Sequence, residues 1–132
     1  MRLYEILEPI AEYVRKAKKR ETLTAKGTVR AVVSGQATIC TLTLKPNREY
    51  IVVGSTNINI SGNDIISCTM SVRNATLIAG GSSAKTTAGG GGGCSTTIYV
   101  KTQEQGGTII LMGYGYISGT YNYTGSIIAI EI

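Results

Sequence analysis

The sequence contains no histidine, no tryptophan and no phenylalanine, so its eight tyrosines are its only aromatic residues. Without imidazole there is no Ser-His-Asp or Cys-His nucleophile pair, no histidine metal ligand and no general base of the commonest kind. Acids are also few and scattered, at Glu5, Glu8, Glu12, Glu21, Glu49, Asp64, Glu104 and Glu131, which speaks against a paired-carboxylate site. Cys94 is the one conceivable nucleophile, and it lacks a histidine partner. The expectation is a protein that is not an enzyme, with no cofactor and no metal site.

Long apolar runs are missing too: none approaches the roughly 20 residues of a membrane-spanning helix. The N-terminal stretch MRLYEILEPIAEYVRKAKKR carries acids where a signal peptide would be uninterruptedly apolar. A soluble chain without a secretion signal is expected. Cys40, Cys68 and Cys94 are odd in number and have no CxxC spacing, the pattern of buried reduced thiols. At 132 residues the chain can form one domain with a real core.

What is present changes character once, near residue 20. Leu3, Ile6, Leu7, Ile10, Tyr13, Val14 and Ala17 recur at i, i+3, i+4 and i+7, one apolar stripe of a helix over about 3–20. Glu5, Glu8 and Glu12 come early; Arg15, Lys16, Lys18, Lys19 and Arg20 come late. That order complements the helix dipole. Pro9 either opens the regular helix or kinks a longer one. A lone helix of this length is marginal in water, so its stripe needs a partner.

From Gly27 onward the period is two, with strands expected at about 28–34, 37–44, 49–54, 57–60, 65–72, 75–79, 96–102, 108–112, 114–118 and 126–132. Turn signals such as Lys45-Pro46-Asn47, Gln105-Gly106-Gly107 and Ser118-Gly119 separate them. The division expected is an N-terminal amphipathic helix in 1–26 and an all-β sandwich or barrel of about ten short antiparallel strands in 27–132. Ile66, Cys68, Met70, Val72, Ile128 and Ile130 are expected inside it. Residues 80–95, with five consecutive glycines from Gly89 to Gly93, read as a loop, because ordering such a run is entropically costly. Tyr114, Tyr116, Tyr121 and Tyr123 lie within ten residues. Their rings suit core filling, a subunit contact (Tyr114, Tyr116) or a ligand surface (Tyr121, Tyr123).

The segment Leu44-Lys45-Pro46-Asn47-Arg48-Glu49-Tyr50-Ile51-Val52-Val53, the glycine-rich middle and the run Gly119 to Ile132 together resemble the jelly-roll domain of the C1q and tumour-necrosis-factor-like superfamily, including versions in bacteriophage structural proteins. The resemblance implies a jelly roll whose last strand is central in a sheet, and a homotrimer. Calcium, which some members bind, is not carried over, since the acids form no cluster. The functions to be weighed are then a phage virion component, such as a head-fibre, tail or decoration knob, and a carbohydrate-binding module. In the first, the helix residues Leu3, Ile6, Leu7, Ile10, Tyr13 and Val14 anchor the knob to other virion proteins or to one another. In the second, Tyr121 and Tyr123 would face a host glycan. The net charge of +5 is placed on a solvated helix end, with neither nucleic acid nor membrane expected as a partner.

Overall fold

The computed structural model describes residues 2–59, 63–81, 83–89 and 92–132. Helix α1 (Leu3–Lys19) is followed by seven strands: β1 (Thr22–Leu44), β2 (Glu49–Asn59), β3 (Asn63–Arg73), β4 (Ala75–Gly80), β5 (Ser83–Gly89), β6 (Gly92–Thr102) and β7 (Gly107–Glu131). Two of them are far longer than expected. β1 and β7 lie antiparallel from Thr22↔Ile130 to Leu44↔Gly107, with register shifts between Val29 and Val32 and between Val33 and Gly35.

Those two long strands build both layers of a sandwich. On its other edge β7 pairs with β2 through residues 122–131 and with β3 through residues 108–115. One sheet therefore runs β1, β7, β2, β6, β4, and the second runs β1, β7, β3, β5. Without the extra edge strand β4, each layer holds four strand segments, and the connectivity is that of a jelly roll. The last strand is central in its sheet, flanked by β1 and β2.

Several expectations are corrected by this arrangement. Among the described residues seven strands replace about ten, because β1 and β7 pass from one layer to the other unbroken, through the turn expected at Ser118-Gly119. The sheet begins at Thr22, five residues before Gly27. The stretch read as a loop holds β5, paired to β3 from Asn63↔Gly89 to Thr69↔Ser83, and the start of β6. Its Ser, Ala, Thr and Gly residues carry no apolar alternation, yet the backbone pairs.

The turns at Pro46-Asn47 and Gln105-Gly106 form as expected, with positive φ at Asn47 (54°) and Gly106 (80°). The core between the layers is Leu42, Leu44, Tyr50, Val52, Cys68, Met70, Ile98, Val100, Ile109, Leu111, Tyr123, Ile127 and Ala129, with Ile39 and Cys94. Val72 packs against it from a half-buried position. The side chain of Ile66 lies outside what the structure describes. Ile128 and Ile130, expected inside, are instead 40% and 47% exposed. Ile127 and Ala129 take the inner face of that strand, and strand alternation sends their neighbours out.

Candidate assembly surface

Helix α1 carries its apolar stripe to the outside. Leu3, Ile6, Leu7, Ile10, Tyr13 and Val14 are all exposed, Leu3 at 70% and Tyr13 at 68%, and α1 has no extended contact with any strand. Pro9 sits inside the helix, so the helix continues through the residue whose missing N–H costs one backbone bond. Charge is arranged along it as the dipole favours, with Glu5 in the first turn and an Arg15–Glu12 ion pair at 3.2 Å.

The root of α1 is fastened to the sandwich. Glu21 N–H donates to the Glu131 carboxylate at 3.0 Å, and Glu131 N–H donates to the Glu21 carbonyl at 3.0 Å. Lys45 forms an ion pair with the Glu21 carboxylate, and Arg48 lies 3.4 Å from that of Glu131. The Lys45 hydrogen bond, helped by the charges of Lys45 and Arg48, holds Glu21 below the usual carboxylate range against the opposing effect of desolvation.

Thr22, the first residue of β1, pairs with Ile130, which pairs with Ile51, which pairs with Tyr99. Paired residues share a face, so this row lies outside the first sheet. The next outward row is Thr24, Ile128, Val53 and Thr97. With exposed Ile132, these rows make half of the outer face apolar. At the edge of the sheet, exposed Ala79 of β4 pairs with Tyr99 and extends that row, while Leu77 pairs with the buried Val100 on the inner face. Tyr99 has its phenol raised above its ordinary pKa by desolvation first and by the adjacent Glu49 carboxylate second.

The other half of the face is polar. An open groove of about 670 Å³ is lined there by Lys26, Thr28, Ser55, Asn57, Thr124 and Ser126, among others, with Ser55 and Ser126 hydroxyls 3.2 Å apart.

Of the tyrosines singled out in the sequence, Tyr123 is wholly buried. It is core, and the expectation that it offers a ligand surface is corrected: Gly113 stands against its ring, where an added Cβ would come within 2.6 Å. The side chains of Tyr114, Tyr116 and Tyr121 lie outside what the structure describes. Sequence reading did not find the outward Ile128 and Ile130, because Ile127 to Ile130 is apolar throughout and marks neither face as the wet one.

Cys68 and Cys94 are buried and Cys40 is half-buried. Burial pushes the Cys68 thiol up to about 11, with Cys94 adding to the effect, and burial raises Cys94 and Cys40 as well. That direction is opposite to the lowered pKa of an activated nucleophile. Among the described residues no three His, Cys, Asp or Glu side chains cluster as metal ligands, and no helix is long and apolar enough to cross a membrane.

No protein-family model matches the chain, and no curated protein matches it. Among solved structures, one chain from "Structure of infectious bursal disease virus Gx strain" is similar with a TM-score of 0.48 and 11% identity. The match covers 85% of this chain and 33% of that one, so the present chain spans about a third of its length.

Proposed function

We propose that this chain is a non-enzymatic structural or attachment component of a virion, a knob of a bacteriophage head fibre, tail or capsid decoration that works as a homotrimer and is anchored through α1. The observation that carries the reading is the stripe of α1. Six apolar side chains stand exposed on a helix that has no extended contact with the sandwich, and a helix of this length is not stable by itself. The sandwich, with a closed core of its own, needs nothing from the helix. A self-sufficient domain bearing an apolar helix on a pinned root is built to be attached to something.

Attachment should depend on the stripe rather than on the basic residues. Burying a large apolar side chain is worth roughly 1.5–3 kcal/mol, against roughly 0–1 kcal/mol for an exposed ion pair. Leu7→Asp or Ile10→Asp should therefore abolish oligomers and incorporation into particles, while Lys18→Glu changes either little. Sedimentation and electron microscopy of particles with C-terminally labelled protein read the two effects. A monomeric wild-type chain at micromolar concentration, or label absent from every particle of the source phage, overturns the proposal.

The polar groove favours a second reading, host-glycan binding by the same knob. Its Ser, Thr and Asn side chains suit hydroxyl-rich ligands. Asn57→Ala should then lower binding on a glycan array without unfolding the protein; a wild-type chain that binds no glycan removes this reading.

A further inference from the structure

We infer that the apolar half of the first sheet's outer face is the docking site for the first half of α1 from a second copy of this chain. The inference rests on the trimer reading above and names the surface through which it closes. Two unpartnered apolar surfaces belong to the same molecule. One is the helix segment with Leu3, Tyr4, Ile6, Leu7 and Ile10; the other is the patch of Ile51, Val53, Tyr99, Ile128 and Ile130. In the chain by itself neither covers the other.

Dimensions and charge fit this occupant. The patch spans β7, β2 and β6, two inter-strand steps of about 4.8 Å, within a sheet roughly 19 Å across from β1 to β4, and the helical segment 3–12, about 15 Å long, lies across it without passing the sheet's edges. Exposed Lys101 flanks the patch beside Glu49 at one end and exposed Lys26 flanks it at the other. The arriving segment brings Glu5, Glu8 and Glu12, whereas the basic residues Arg15, Lys16, Lys18 and Lys19 lie in the second half of α1. The acidic half therefore meets the lysine-flanked patch, and the basic half spans the distance back to its own sandwich. Each copy offers one helix and one patch, so the contact is satisfied without leftover surface only when copies close on one another, by reciprocal exchange or head to tail; left open it would run on as a filament. Three copies close head to tail with every stripe and every patch covered once.

The full-length chain supplies the test. Leu7→Cys chains are mixed with Ile130→Cys chains and treated with a short bismaleimide, the wild-type chain serving as blank. A covalent pair containing one of each variant is expected, at least tenfold above the blank. Ile128→Thr/Ile130→Thr should weaken trimer formation at least tenfold with the circular-dichroism spectrum unchanged. Lys101→Glu should weaken it as well, and Glu8→Lys should restore it. Linkage of Leu7→Cys chains only to one another, in a protein that is still trimeric, overturns the docking site and leaves the trimer reading standing, with helices bundled together. Linkage only within the chain of a monomeric Leu7→Cys/Ile130→Cys double variant overturns both. So does a wild-type chain that sediments as a monomer.

Discussion

Gly27 offers the sharpest test of the sandwich geometry. A methyl group added there would overlap the Ile39 carbonyl group, with the carbonyl carbon only 2.8 Å away and Cys40 Cβ at 3.1 Å. Comfortable carbon–carbon separation is about 3.5–4.0 Å, so the two halves of β1 would have to part by the better part of an ångström. The obstacle is backbone, which cannot rotate aside. Overpacking of a tight interior costs typically 1–3 kcal/mol, and an obstacle of this kind places Gly27→Ala at the upper end, about 3 kcal/mol. Gly93→Ala is the control. Its added carbon would meet nothing nearer than the Thr56 carbonyl oxygen at 3.6 Å, and relief of unfolded-chain entropy is worth about 0.4–1 kcal/mol. Urea unfolding followed by circular dichroism should show a large drop in midpoint for the first variant and none for the second. Equal midpoints for Gly27→Ala and wild type would refute the close approach of the two layers at this row.

The cysteines and the root of α1 yield further expectations. With its pKa at about 11, Cys68 is roughly a hundredfold poorer in thiolate at pH 8 than an ordinary thiol, so iodoacetamide should modify it in the native protein at least a hundredfold more slowly than in urea; equal rates would contradict its burial. Glu21, whose folded pKa is lowered by Lys45, contributes stability that is complete above the ordinary carboxylate value and lost as pH falls through the lowered one. Glu21→Gln should remove part of the acid limb of the urea-midpoint profile below about pH 4.5, and an unchanged limb would show that the pair contributes nothing.

Different physical signals decided what could be read from the sequence. The stripe of α1 was legible because seven apolar positions share one helical face. The turns at Pro46-Asn47 and Gly106 were legible because residue type there answers a backbone demand. The continuity of β1 and β7 was not. Glycines such as Gly113 and Gly125 look like chain breaks, but they are places where Tyr123, Leu111 or the Ser55 carbonyl comes too close for a Cβ. β5 was hidden for the opposite reason, since small residues give no alternation to see. The tyrosine segment was only half legible: spacing two apart placed Tyr121 and Tyr123 on one face and could not say which.

The same ambiguity runs through Ser126 to Ile132, where both faces of the strand are apolar and a slip of one residue would exchange them. Glycine settles it. Gly125 must stand where an added Cβ would lie 2.8 Å from both Leu111 and the Ser55 carbonyl oxygen; a slipped register would put Thr124 or Ser126 into that space. Ile127 and Ala129 are thereby held inside and Ile128 and Ile130 outside. Two adjacent isoleucines then make opposite predictions, measured in a Leu7→Asp background so that copies are apart. Ile127→Thr removes apolar volume and buries a hydroxyl, for a loss of roughly 2–4 kcal/mol. Ile128→Thr replaces one β-branched residue by another on an uncovered face and should stay within about 0.5 kcal/mol of its parent. Comparable losses at both positions would mean that Ile128 is covered within its own chain, and the outward apolar face would then be no surface for a partner.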